Sequence, residues 1–99
     1  MFRHVVVMQW KADASDAARA RAREEISNLP SLITEIRAYS VGVDVGETDG
    51  NADLAVVADF DDGRGYATYR DHPAHVRVLT EFVRPILAAR AAVQHELLT

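Results

Sequence analysis

An α+β fold built on one four-stranded sheet is what this sequence predicts, and three observations predict it. Two segments alternate side-chain character with the two-residue period of a strand, Ile36 to Val45 and Ala52 to Phe60, and the turn signal Asp49-Gly50-Asn51 lies between them. A β-branched run, Val5-Val6-Val7, marks a strand near the start, and Ala91 to Leu98 can form another at the end. Helical spacing fills the two remaining gaps. The order strand, helix, strand, strand, helix, strand is the split βαβ, ferredoxin-like arrangement: a four-stranded antiparallel sheet with its helices on one face. At 99 residues the chain suits one core, so residues 1–99 are taken as a single domain.

The first strand, Phe2 to Lys11, puts Phe2, His4, Val6, Met8 and Trp10 on one face. Asp13 and Ser15 then offer N-caps for an Ala- and Arg-rich helix that runs to Leu29 and is stopped by Pro30. Its stripe of Ala18, Ala22, Ile26 and Leu29 is narrow, with small residues at one end. In the hairpin, Tyr39, Val41, Val43 and Val45 share one face of the second strand, and Leu54, Val56, Ala58 and Phe60 share one face of the third. A short helix follows in "DDGRGYATYRD", where Tyr66 and Tyr69, three apart, lie on one side. Pro73 opens a second helical stretch with Val76, Leu79, Val83, Ile86 and Leu87 at helical spacing, and Pro85 predicts a kink or break within it.

Composition narrows the function classes. Hydrophobic residues are 48% and charged residues 26%, a globular balance. Eleven basic against 15 acidic residues leave a net charge of -4, with no basic stripe to meet successive phosphates, so nucleic acid is not an expected partner. The chain lacks cysteine, which excludes disulfides and thiol catalysis and fits a cytoplasmic location. The opening apolar run has neither the length of a membrane span nor a signal-peptide cleavage site. The glycines form no phosphate-cradling loop, and Arg19, Arg21 and Arg23, offset by Glu24 and Glu25, read as a solvated helix face.

Helices on one face leave the other uncovered, yet apolar side chains occupy both faces of the first three strands, as Val5 and Val7 against Val6 and Met8 show. A two-fold homodimer pressing sheet against sheet is the expected cover. Three segments, "FRHVVVMQWK", "LPSLITEIRAYSVGVDV" and "ADLAVVADFDDGRGYATYRDHPAHVRVLTEFVRPIL", together resemble the stress-responsive A/B barrel (Dabb) family of the dimeric α+β barrel superfamily. The sharpest part is "YRDHPAH" followed by an apolar helix. One branch of that family, plant polyketide cyclases of the olivetolic acid cyclase type, closes a linear polyketide by an aldol step without metal or organic cofactor. The resemblance implies that the catalytic histidine of that branch falls on His75 and its catalytic tyrosine on Tyr69, with His4 matching a histidine near the start of the first strand. The bulky residues that shape a long alkyl pocket in the cyclases are Ala and Arg in this first helix, so the resemblance does not carry their substrate over.

The residues themselves support a similar site. With Pro73 at the first helical position, His72 becomes the N-cap and His75 the third residue of the helix. Positive potential at a helix N-terminus disfavours imidazolium, which keeps a neutral base available near pH 7. A neighbouring phenol, Tyr69, can donate to a carbonyl oxygen as enolate charge builds. The expected cavity between sheet and helices is therefore lined by His4, Val6, Met8 and Leu79 beside Tyr69, His72 and His75, with no cofactor and no metal. His72 and His75 are three apart, but no recognisable third or fourth zinc ligand accompanies them. His95 reads as a surface or interface residue. Two other readings stay open: a ligand-binding or stress-response module in which these side chains only fill or polarise a pocket, and a bare dimerisation domain.

Overall fold

Strand β1 (Phe2–Trp10) lies inside the sheet, with β3 (Leu54–Phe60) on one side of it and β4 (Leu87–Glu96) on the other. Strand β2 (Ala38–Val43) forms the far edge beyond β3, and every neighbouring pair is antiparallel. The structure is a computed structural model that describes residues 1–98. Helix α1 (Asp16–Ser27) joins β1 to β2. Helices α2 (Gly63–Asp71) and α3 (Pro73–Val78), followed by a wide turn over Leu79–Val83 and a tight one over Arg84–Ile86, join β3 to β4. This is the ferredoxin-like α+β fold with all helices on one face of the sheet.

Cross-strand partners share a face, so the register fixes what each face contains. His4 stands opposite Ala58 and Gln94, Val6 opposite Val56 and Ala92, and Met8 opposite Leu54 and Arg90. This face meets Ala22, Ile26, Leu29, Ile33, Tyr69, Val78 and Val83 from the helical layer in one buried core. Removing a side chain such as Phe60 or Leu29 from water stabilises the fold by about 1.5–3 kcal/mol each. On the opposite face Val5, Val7, Ala55, Val57, Ala91 and Val93 are cross-strand neighbours, and among the described residues no helix covers them. Val93 is 56% exposed there.

Local chemistry accounts for most boundaries. Of the two capping candidates for α1, Ser15 takes the role: its Oγ accepts from the Ala18 N–H at 3.1 Å, with Asp16 in the first turn. Pro30 ends the helical path in a single 3₁₀ turn, Leu29–Ser31. The hairpin loop between β2 and β3 turns with positive φ at Gly46 and Gly50, and both Asp44 carboxylate oxygens brace it, accepting from Gly46 N–H and the Asn51 amide.

Three sequence expectations change. Strand β4 begins at Leu87 rather than Ala91, although "LAARAA" has high helix propensity, because pairing along β1, interrupted only by a bulge at Ala88, overrides that propensity. Val78, not Val76, enters the core, and Val76 is 46% exposed. The cause is Pro85, which has no N–H and whose ring would strike the Glu81 carbonyl in a continued α-helix. The chain widens instead, so that the Arg84 N–H reaches the Leu79 carbonyl five residues back, and this extra residue shifts the apolar phase. Strand β2 is shorter than expected, from Ala38 rather than Ile36, and Val45 lies beyond it at 83% exposure. Among the described residues no helix is long and apolar enough to cross a membrane.

A candidate acid-base site

Helix α2 sets the first half of the site. Asp62 caps it, its Oδ1 accepting from the Arg64 and Gly65 N–H groups at 3.0 and 3.1 Å. Gly65 then passes so close to the sheet that a Cβ there would stand 3.3 Å from the Phe60 Cβ. That approach lowers Tyr66 and Tyr69 onto the sheet, and Tyr69 is buried against Phe60 with ring centroids 5.2 Å apart.

The His72-Pro73 step sets the second half. A residue before proline is pushed out of helical backbone, and His72 is extended, with φ -62° and ψ 134°. It ends α2 and caps α3, its Nδ1 accepting from the Ala74 N–H at 3.0 Å. The sharp corner returns the chain so that His75 meets the end of α2. There its Nδ1 lies 3.0 Å from the Arg70 carbonyl oxygen, and its ring stands 4.2 Å from that of Tyr69. A carbonyl oxygen can only accept, so His75 Nδ1 carries the proton and Nε2 keeps the lone pair.

His4 has the opposite arrangement. The Gln94 amide nitrogen, from the paired position on β4, lies 2.8 Å from His4 Nδ1 and donates to it, which leaves the proton of the neutral ring on Nε2. One imidazole of the site is thus an acceptor at Nε2 and the other a donor at Nε2.

These groups border a cavity of about 310 Å³ between sheet and helices. Among the sequence-predicted residues, His4, Val6, Met8, Tyr69, His75 and Leu79 line it. His72 does not; its ring is turned to the cap of α3. His95 lies on the uncovered face opposite Arg3, with Nδ1 2.9 Å from the Glu96 carbonyl oxygen. Sequence reasoning missed Tyr66, Arg70, Arg84 and Arg90 in the lining and Gln94 behind His4. Tyr66 was legible as the partner of Tyr69 on one helix side. Arg90 and Gln94 depend on the β4 register, which no local signal announces.

Burial sets the protonation states. Desolvation is the main cause that holds both His4 and His75 below the ordinary imidazole range, and the Arg90 guanidinium pushes both in the same direction. For His75 the Arg70 carbonyl pulls the other way without reversing the shift. The direction agrees with that expected from a helix N-terminus, but burial leads, and α3 is only six residues long. Burial likewise raises the Tyr69 phenol, against a smaller lowering from the adjacent Tyr39 hydroxyl. Tyr39 itself donates to the Ile26 carbonyl oxygen at 3.0 Å. Near neutral pH the cavity therefore offers neutral imidazoles and a protonated phenol, a combination suited to moving a proton on carbon beside a carbonyl group. Among the described residues no three His, Cys, Asp or Glu side chains gather where they could hold a metal ion.

Comparison with known proteins places this geometry in a family. A dimeric ferredoxin-like protein of unknown function from Thermobifida fusca is 38% identical, with a TM-score of 0.89 over 97% of this chain and 90% of its own. A dimeric protein of unknown function and ferredoxin-like fold from Bacteroides fragilis is 25% identical, with a TM-score of 0.81 over 97% and 95% of the two chains. A hydroxynitrile lyase from Passiflora edulis shares the fold at 17% identity, with a TM-score of 0.83 over 95% and 90%. No curated protein matches the chain. The sequence model of the stress responsive A/B barrel domain matches residues 2–96, and the chain belongs to that family, Dabb.

Proposed function

We propose that this protein is a cofactor-free acid-base catalyst acting on a small carbonyl compound, of the aldol cyclase or isomerase type. His75 is the base and Tyr69 the hydrogen-bond donor to the carbonyl oxygen. The observation that carries this reading is the bond from His75 Nδ1 to the Arg70 carbonyl, which reserves Nε2 of a half-buried, neutral ring for proton abstraction. As Nε2 takes a proton from the carbon next to the carbonyl, the electron pair moves onto the carbonyl oxygen. The Tyr69 hydroxyl, kept protonated by burial, donates to that oxygen, and His4 Nε2–H is a second donor bordering the same cavity from the sheet side. Val6, Met8 and Leu79 supply apolar contact to the rest of the substrate. A solved structure of the same fold, the hydroxynitrile lyase from Passiflora edulis, is by its name a lyase, which lends the reading support at the level of fold alone.

The reading includes a homodimer and a cytoplasmic location. Solved relatives are dimeric, and a second copy is the occupant that fits the apolar row of Val5, Val7, Val57 and Val93 on the uncovered sheet face. The chain's lack of cysteine suits a reducing compartment.

Exchange of α-hydrogens in D2O tests the chemistry without knowledge of the product. Aryl and alkyl methyl ketones, each with and without a carboxylate, are incubated with the protein and followed by proton NMR. Exchange that disappears with His75→Gln supports the reading, and absence of protein-dependent exchange across the panel overturns it. In that second case, ligand-induced thermal stabilisation alone would mark a binding module.

A further inference from the structure

The charged side chains around the cavity are all of one sign. Arg70, Arg84 and Arg90 line it, and among the described residues no carboxylate does. Arg70 is engaged by its neighbour Asp71 through two contacts of 2.9 Å. Arg84 and Arg90 form no ion pair among the described residues. They come from different elements: Arg84 from the turn at which the helical layer breaks before Pro85, and Arg90 from β4, opposite Met8 on the helix-covered face. Both guanidiniums are solvent-exposed at the border of one largely apolar hollow, with no acidic partner among the described residues, so an anion entering there meets two free donors of fixed positive charge. The cavity is at the small end of ligand sites, which suits a compact planar anion. Guanidinium matches a carboxylate through paired N–H donors.

We infer that the substrate is itself an anion, a small carbonyl compound bearing a carboxylate, whose charged end is held by Arg84 and Arg90 while its carbonyl lies beside Tyr69 and His75. The placement of the carbonyl rests on the acid-base reading; the carboxylate end stands on the two arginines alone.

Calorimetric titration of the full chain with benzoate, its neutral analogue benzamide, and phenyl phosphate separates the possibilities. Benzoate binds more tightly than benzamide by a factor of about ten or more, the scale of one charge-assisted contact. Arg90→Met and Arg84→Met each remove most of that preference, Arg64→Met on the exposed side of α2 leaves it, and added salt weakens benzoate but not benzamide. Equal binding of benzoate and benzamide, or a preference that survives both variants, overturns the inference. Binding of phenyl phosphate with benzoate silent overturns the carboxylate assignment. Benzoate has no α-hydrogen, so its binding is independent of ketone exchange. Exchange without a charge preference sinks this inference alone, and a charge preference without exchange sinks the catalytic reading alone.

Discussion

The Tyr69 and His75 rings lie against each other with their centroids 4.2 Å apart and their planes tilted by 36°. The rings touch without a hydrogen bond between them; His75 spends its Nδ1 proton on the Arg70 carbonyl, and the Tyr69 phenol sits beside Tyr39. Base and donor are therefore held next to each other without consuming each other, so that each remains available to a different atom of one substrate.

The first consequence concerns tautomers. Long-range nitrogen-proton NMR near pH 7.5 should find His75 protonated at Nδ1 and His4 at Nε2. Gln94→Leu should release the His4 preference and leave that of His75 untouched. A His75 ring protonated at Nε2 would remove the base from the site.

A second consequence is pH dependence. Both imidazoles have folded-state pKa values below the ordinary value of about 6.5, which the unfolded chain is taken to have. Below that value the unfolded state binds more protons, so stability is complete above about pH 6.5 and declines as the pH falls toward the folded-state values. Melting temperature should drop between pH 7 and pH 5, and His4→Gln or His75→Gln should each flatten part of the decline. Ketone exchange should fall with acid through an apparent pKa below 6.5; a midpoint at or above 6.5 contradicts the buried-base account.

Tyr69→Phe isolates the hydroxyl. Its ring packing against Phe60 and His75 survives, so loss of stability should stay near 1 kcal/mol, the worth of one hydrogen bond. Exchange should fall by a factor of about a hundred or more, the usual effect of removing one oxyanion donor. Activity that merely tracks the change in melting temperature would make Tyr69 a packing residue.

The uncovered sheet face yields a test by light scattering. Val57 sits in the middle of that face, between Val5 on β1 and Ser40 on β2. Val57→Asp should turn a two-chain species into single chains, because burying an unpaired carboxylate between sheets costs more than most interfaces can offset. Wild-type protein that is already a single chain at working concentration would leave this face without its proposed partner.

Periodicity, with the β-branched run at Val5-Val6-Val7, determined the order of elements and the faces of the first three strands, because alternation and helical spacing are local and the burial of one face follows from them. Asp49-Gly50-Asn51 marked the hairpin, and the His72-Pro73 step marked the corner that presents His75, since the restraint proline imposes is also local. Only the tertiary structure decided where β4 begins and that the wide turn before Pro85 brings Val78 rather than Val76 into the core. It also decided that Arg90 borders the cavity beside Met8 and that Gln94 stands behind His4. The placement of Arg90 and Gln94 rests on pairing between residues more than eighty positions apart, where a shift of one residue would turn every side chain of β4 to the other face, and no short stretch of sequence contains that register.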